Sequence, residues 1–497
     1  MKPGVNKIVI AGGGTAGWMS AALLSKAFAA TKEIVLVESD AIPTVGVGEA
    51  TVPPLQLFHE FLDVNEREFM RATDATFKLG IEFENWREPG HKYMHAFGHF
   101  GKDSWHCRFF NYWLAAARDK GSADFENYCL ELTAARQNKF TIMANRQVQY
   151  AYHLDAGKYA QCLRTFSETL GVKRMAGNIG EVKLNPDSGH IEALQLESGE
   201  VVEGDFFIDC TGARALLIEG ALHTGFEDWS HWLPSDSAYA VQTERSGEIP
   251  PYTRSIANHS GWQWRIPLQS RRGNGHVFCS AFTSDQAALD LMIDSLDAKP
   301  INEPRLIRFK TGARRKQWHK NCVALGLSSG FLEPLESTSI HLIQRNLMRL
   351  IQWFPSDQIN PAEVDEFNRQ AREDTEAIRD FIIMHYKVHN RRDSDFWRHC
   401  SGMDVPDDLS HRIELFKSSA KVFKRSYELF GEESWIQVLW GQGLMPEHHH
   451  PFVDTISEQE LYQTLDELRS TIRRQVSDMP SHGDFVGRYC NANLSNH

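Results

Sequence analysis

The hydrophobic pattern opens with Lys7–Ala11 (KIVIA), an apolar run without alternation, which predicts a parallel strand buried on both faces. The turn GGGTAG follows, then WMSAALLSKAF, which suits a buried helix, and EIVLVES from Glu33 predicts a second strand of the same kind. Strand, glycine turn, helix and strand in that order open a dinucleotide-binding fold. Further strands are predicted at 191–196 (IEALQL), 206–209 (FFID, before the Gly212 turn), 276–280 (HVFCS) and 322–326 (CVALG). Beyond about residue 345 the pattern changes, and 361–385 and 457–475 interleave aromatic and charged residues at the spacing of long amphipathic helices. The expectation is an α/β sheet domain over residues 1–345, with excursions, and a largely helical lobe over 346–497. No internal repeat, low-complexity stretch or long linker interrupts the chain.

Composition narrows the classes. A chain of 497 residues, 42% hydrophobic and 24% charged, has material for a large core and more than one lobe. Its 65 acidic residues outnumber 53 basic ones, for a net charge of -12. No basic run is long enough to track phosphates, so neither nucleic acid nor an anionic membrane is an expected partner. The eight cysteines are widely spaced, without a CxxC pair, as suits a reducing compartment. No separate leader-like segment precedes the glycine turn, and no stretch approaches the roughly 20 apolar residues that span a bilayer. A cytoplasmic protein is expected.

In Gly12-Gly13-Gly14-Thr15-Ala16-Gly17 the GxGxxG spacing gives Gly12 the tight turn, Gly14 the close approach to a pyrophosphate and Gly17 the packing of helix on strand. Thr15 and Ala16 complete the cofactor loop. Glu38, ending the second strand, is placed to bind ribose hydroxyls, and by itself also reads as a solvated strand-end acid. This unit does not separate NAD from FAD. DFFIDCTGA at 205–213 and CVALGLSSG at 322–330, each a strand entering a glycine turn, favour FAD, with Leu327 in the second; each also reads as simple fold punctuation.

Gly261-Trp262-Gln263-Trp264-Arg265-Ile266-Pro267 contains WxWxIP. As a strand, it puts both tryptophans on one face to pack into a core. As a motif, it resembles the signature of the flavin-dependent tryptophan halogenases. Three more segments are similar to that family's, in the same order. Val45-Gly46-Val47-Gly48-Glu49-Ala50-Thr51-Val52-Pro53 resembles its GVGEAT-x-P loop beside the flavin, and Ala75-Thr76-Phe77-Lys78-Leu79-Gly80 resembles the segment with its essential lysine. The third is Phe331-Leu332-Glu333-Pro334-Leu335-Glu336-Ser337-Thr338. The resemblance covers the sheet domain and weakens towards the C-terminus. It implies an FAD-binding Rossmann-like fold of the kind shared with aromatic hydroxylases, a helical lobe covering the substrate, and cofactor contacts from Gly48, Glu49, Ala50 and Ser337. It also places the two tryptophans near the flavin, where they discourage ordinary oxygenation.

Halide is itself a nucleophile, so an electron-rich ring takes up halogen only after the halogen is oxidised. The resemblance implies that reduced FAD (FADH2) and oxygen give a flavin hydroperoxide, and that halide attack on its distal oxygen releases hypohalous acid, which travels inside the protein to the substrate. Lys78 then either hydrogen-bonds that acid or carries the halogen as a haloamine, two roles the sequence leaves open. Without the resemblance, a lysine in ATFKLGIEF reads as a snorkelling surface side chain. Glu336 polarises the oxidant and accepts the proton leaving the ring; it reads equally as a helix-start carboxylate ahead of STSIHLIQRNL. The amides around Thr338 and Ser339 form the halide site. The family usually has glycine where Ser339 stands, and the added side chain points to bromide over chloride.

Ser434-Trp435-Ile436-Gln437-Val438-Leu439-Trp440-Gly441-Gln442-Gly443 falls where the family builds its substrate lid. The tyrosine pair and glutamate that hold free tryptophan have no counterpart there. An indole-like ring without the zwitterion, a phenol or a pyrrole therefore stands beside tryptophan as substrate. Trp435, Trp440, His95 and Phe97 are candidate substrate-binding residues, and core packing explains them as well. His448, His449 and His450 are adjacent and do not readily converge on one ion, so no metal is expected. Two competing readings are an FAD-dependent aromatic monooxygenase and a non-catalytic flavin-binding sensor, which halide dependence of product separates. No second fingerprint serves NAD(P)H, so a separate NAD(P)H-dependent flavin reductase is the implied partner. A homodimer is an expectation of the family alone.

Overall fold

The computed structural model describes residues 4–41, 48–120, 124–143 and 148–490; Val45, Gly46 and Val47 of the GVGEAT-like loop lie outside the described residues. The chain forms two compact units, each drawn from three stretches. The first is Met1–Ala75, Leu154–Pro234 and Arg308–Glu376, and the second is Thr76–His153, Ser235–Ile307 and Ala377–His497. The division does not fall at residue 345. Its cause is strand pairing: Gly80–Glu84 pairs in parallel with Tyr252–Ala257, drawing two distant stretches of the expected sheet domain into a separate sheet. From Ser339 onward every named element among the described residues is a helix.

The first unit is built on a six-stranded sheet in the order Trp318–His319, Cys322–Ala324, Phe206–Asp209, Lys7–Ala11, Glu33–Glu38, Lys173–Ala176. All neighbours are parallel except the outermost pair, Trp318–His319 with Cys322–Ala324. Strands covered on both faces need apolar residues at every position, and Ile8, Val9, Ile10, Phe206, Phe207 and Ile208 are all wholly buried. An antiparallel meander, Ile179–Leu184, Ile191–Leu196 and Val201–Glu203, packs Leu194, Leu196 and Val202 against Val9, Val35 and Phe207. Helix Thr15–Phe28 packs with Ala156–Thr169 and Ser339–Gln352.

The second unit centres on a seven-stranded sheet in the order Arg305–Arg308, Ser237–Glu244, Arg271–Phe278, Gly261–Pro267, Tyr252–Ala257, Gly80–Glu84, Lys92–Ala96. The strand predicted at 276–280 thus begins earlier and ends at Phe278. One face of Gly80–Glu84 and Tyr252–Ala257 carries Glu82, Glu84 and Arg254: Glu84 accepts from Arg254 at 2.5 Å and pairs with Lys92 at 2.8 Å. On the other face Phe83 meets Trp86 edge-on at 5.7 Å and opens an aromatic cluster. Trp262 lies 6.3 Å from Trp86 and 6.0 Å from Trp264, and Trp86 lies 5.4 Å from Trp397 between ring centroids. Both tryptophans of WxWxIP are therefore core residues of this unit, which accounts for their shared face. A short strand, Thr76–Lys78, pairs antiparallel with Ala151–Leu154, setting Lys78 opposite Ala151.

Candidate functional site

Three turns of the first unit follow the C-terminal ends of adjacent parallel strands, where such sheets bind their ligands. After Lys7–Ala11, Gly12 has φ +106°, and a Cβ there runs into the Cys210 carbonyl oxygen; a Cβ at Gly17 runs into the Gly12 carbonyl oxygen. A Cβ at Gly14 meets nothing within 4 Å. Gly14 is the N-cap of helix Thr15–Phe28, so open space stands before the helix amides of the first turn, around Thr15 and Ala16. That opening fits a pyrophosphate, and the donor set fits FAD. Gly326, at φ +64°, brings the turn bearing Leu327 against the same helix start, where a Cβ on Gly326 lies 2.8 Å from the Ala16 Cβ.

Asp209 ties these turns together. Its carboxylate accepts from the Thr211 amide (2.9 Å) and hydroxyl (2.7 Å), the Leu217 and Ile218 amides (2.9 and 2.8 Å) and the Ser328 hydroxyl (3.0 Å). Five donors compensate a carboxylate that is wholly buried. Asp209 is not among the residues expected from the sequence, although an acid closing the apolar run FFID signals a need for partners. Glu38 is not a solvated strand end: it covers Gly13, accepts from Trp18 Nε1 at 3.3 Å and pairs with Arg174 at 2.5 Å. Gly48, at φ +98°, precedes Glu49, whose carboxyl burial pushes up to about 7; Ala50 is buried beside it.

Glu336 ends the turn Pro334–Glu336 and is 2% exposed. Ser337 follows in the left-handed region at φ 60°, Thr338 is the N-cap, and helix Ser339–Gln352 begins. The acid thus sits at a helix start while remaining inside the protein. The amides of Ser339 and the next residues have no acceptor within their own helix. Burial, reinforced by Arg345 and Arg349, pushes His341 in that first turn down to about 4, so at neutral pH its ring is neutral.

In the second unit Lys78 is 0% exposed, and its Nζ lies 5.2 Å from the centre of the Phe97 ring. It does not snorkel. Burial, and then the charge of Lys78, hold His153 well below the usual imidazole range, so His153 is neutral. His95, one strand residue before Ala96, is buried with its ring 5.6 Å from Phe381 and 6.0 Å from Phe430. Trp435 meets the same Phe381 edge-on at 5.0 Å. The helix carrying Trp435, Glu432–Gly441, is fixed to the His95 strand by Gln437, whose amide accepts from Ala96 N–H at 2.7 Å and donates to Ala96 C=O at 3.1 Å. Trp440 leaves this group: it faces Trp113 at 4.8 Å and Phe110 at 5.9 Å. The structure therefore groups His95 with Trp435 and sets Trp440 in a different aromatic cluster.

His449 pairs with Asp454 at 2.7 Å, while His450 Nδ1 accepts from the Phe452 amide at 3.2 Å, so the adjacent histidines turn to separate partners. Among the described residues no group of three or more His, Cys, Asp or Glu side chains is arranged to hold a metal, and no helix is long and apolar enough to cross a membrane.

Residues 7–458 match the family described as tryptophan halogenase. Tryptophan 6-halogenase SttH of Streptomyces toxytricini is 34% identical over 97% of this chain and 97% of its own. Among solved structures, the flavin-dependent halogenase Xcc4156 from Xanthomonas campestris superposes with a TM-score of 0.97 at 51% identity, covering 99% of this chain and 100% of that one. BrvH, a flavin-dependent halogenase from Brevundimonas sp. BAL3, gives a TM-score of 0.94 at 44% identity over 98% and 99%.

Proposed function

The chain belongs to the tryptophan-halogenase family and is a flavin-dependent halogenase, and on that premise we propose that it halogenates an indole-like or other electron-rich aromatic ring through Lys78. FADH2 bound at the glycine turns, with oxygen, supplies the two-electron oxidation of halide: FADH2, O2, X⁻ and H⁺ give FAD, HOX and H2O. Gly12, Gly14, Thr15, Ala16, Gly17, Glu38, Gly48, Glu49, Ala50, Leu327 and Ser337 hold the cofactor, and the amides at Thr338 and Ser339 hold the halide. A separate NAD(P)H-dependent reductase delivers reduced flavin.

Lys78 receives the hypohalous acid, by an N–H···O hydrogen bond to its oxygen or by exchange to a haloamine, and presents halogen to the ring. On the first route the O–X bond breaks as the carbon–halogen bond forms and the Lys78 ammonium protonates the departing oxygen to water; on the second, water leaves in the exchange and the N–X bond breaks instead. On both, the ring C–H proton leaves to Glu336, and the neutral lysine is reprotonated from solvent. Phe97, His95 and Trp435 supply the aromatic wall for the ring. The observation that carries the proposal is the complete burial of Lys78 against an aromatic face. Burying an ammonium costs several kcal/mol, a cost that proteins bear most often where chemistry is done.

The test is mass spectrometry of an indole and phenol panel incubated with enzyme, FAD, a flavin reductase, NADH and either chloride or bromide, with Lys78→Ala beside it. A halogen isotope pattern that vanishes in the variant is expected. Hydroxylated product independent of halide would overturn the halogen-transfer reading in favour of a monooxygenase, and no product across the panel would move the search to other aromatic substrates.

A further inference from the structure

The backbone on either side of Lys78 is held by groups from far along the chain. Thr76 donates its hydroxyl proton to the Pro267 carbonyl at 2.7 Å, so the last residue of WxWxIP anchors the lysine strand. With that proton committed, Thr76 accepts from His153 Nδ1–H at 3.1 Å, and His153 Nε2 in turn accepts from the Thr253 hydroxyl at 2.9 Å. Leu79 N–H reaches Pro251 C=O at 2.7 Å. Among the described residues Phe77 N–H meets no strand on that side. It donates to Nε2 of His482 at 3.2 Å, and His482 Nδ1–H donates to Ile249 C=O at 2.9 Å. His482 opens the helix His482–Tyr489, is wholly buried, and belongs to the same unit as Lys78. A side chain thus takes the place of a neighbouring strand at the residue before the lysine.

We infer that His482 is a positioning residue for halogen transfer, its Nε2 lone pair fixing the Phe77 peptide and through it the direction of Lys78; the inference rests on the role given to Lys78 above. The leverage is geometric. A lysine side chain reaches about 6 Å, so a tilt of about 10° in its peptide moves Nζ by about 1 Å, a displacement that costs on the order of a hundredfold in rate. Both ring nitrogens of His482 are committed to backbone, to Phe77 N–H and Ile249 C=O, so its effect falls on the transfer step. Only the neutral ring with a free Nε2 lone pair makes the bond, which separates this role from mere filling of space.

The experiment compares His482→Gln, whose carboxamide oxygen reaches the position of Nε2, with His482→Asn, whose shorter side chain does not. Each is assayed as FAD-loaded enzyme with a flavin reductase for halogenated product, for hypohalous acid trapped by an added thiol, for FAD affinity, and for deuterium uptake of the peptide spanning Thr76–Gly80. The expected result is that Asn lowers product about 10- to 100-fold, raises trapped oxidant and speeds exchange at Phe77, while Gln stays close to the parent and FAD affinity changes in neither. Equal behaviour of Gln and Asn, whether both active or both inactive, overturns the inference. If Asn does not fold, Gln decides alone: a folded Gln variant with more than about tenfold loss of product overturns it, and near-parental product with protected Phe77 upholds it. Lys78→Ala run alongside separates the two claims, since full halogenation there removes the lysine reading while the exchange data still report whether His482 holds the strand.

Discussion

Acid should weaken the parent protein more than His482→Gln, by an amount the structure sets. Burial pushes His482 down to about 4 from its ordinary 6.5, with the Ile249 carbonyl opposing in part. The folded ring therefore stays neutral where the unfolded one is protonated. With the folded value depressed, the unfolded chain binds more protons between the two values, so stability is complete above about pH 6.5 and drains away as pH falls towards about 4. At pH 5 the unfolded histidine lies about 1.5 units below its titration, and at about 1.4 kcal/mol per unit this removes about 2 kcal/mol relative to neutral pH. Glutamine keeps the acceptor and does not titrate. Other buried groups, including Glu49, whose raised value acts in the opposite direction, are common to both proteins and cancel in the comparison. Urea unfolding at about pH 7 and about pH 5, followed by tryptophan fluorescence, measures the difference of differences. A gap of about 2 kcal/mol is expected; parallel losses in parent and variant would refute the neutral, proton-excluding site on which the argument depends.

Gly17→Ala should lower the melting temperature of the apoprotein, because the new Cβ strikes the Gly12 carbonyl, whereas Gly14→Ala should leave it unchanged and weaken FAD about tenfold, or about 1.4 kcal/mol, in a flavin fluorescence titration; undiminished affinity in Gly14→Ala counts against the cradle. Gln437→Leu strips the Ala96 amide and carbonyl of their buried partners, at about 1–3 kcal/mol each. Steady-state kinetics should show the aromatic substrate's KM rising more than kcat falls, and an unchanged KM removes the Trp435 helix from the substrate wall. In a competition of equimolar chloride and bromide the parent should give mainly brominated product and Ser339→Gly should move the ratio towards chloride; a parent that prefers chloride refutes the role given to the Ser339 side chain.

The sequence shows the first unit clearly because its elements are local. KIVIA, the glycine turn, the helix and EIVLVE lie within forty residues, and two-sided burial leaves an apolar record at every strand position. FFID was recognisable for the same reason, and IEALQL by Ile191, Ala193, Leu194 and Leu196, although Glu192 faces solvent. The second unit was hidden because Gly80–Glu84 and Tyr252–Ala257 become neighbours only on folding, and strands with one charged face look like ordinary surface segments. The site divides along the same line. Gly12, Gly14 and Gly17 announce their roles through spacing, and Lys78 stands out by resemblance. Asp209 was legible in principle, as an acid ending an apolar strand. Arg174 on Glu38, Gln437 on Ala96 and His482 on Phe77 carry no local signal, since each acts on a backbone or side chain distant in sequence, and a histidine in SHGDF says nothing of the peptide it will meet.

The bond from Phe77 to His482 joins residues 405 positions apart, and that interval has a meaning in time. A ribosome adding about 5–20 residues per second needs about 20–80 s to cover it. Throughout that period the glycine turn that follows Lys7–Ala11 has already been synthesised, whereas the strand bearing Lys78 lacks one of its ties. The helix that supplies the tie is among the last parts of the described chain to emerge. Maturation of the lysine strand is therefore a late event, and changes in the helix His482–Tyr489 will be felt at the reacting end of a side chain synthesised long before it.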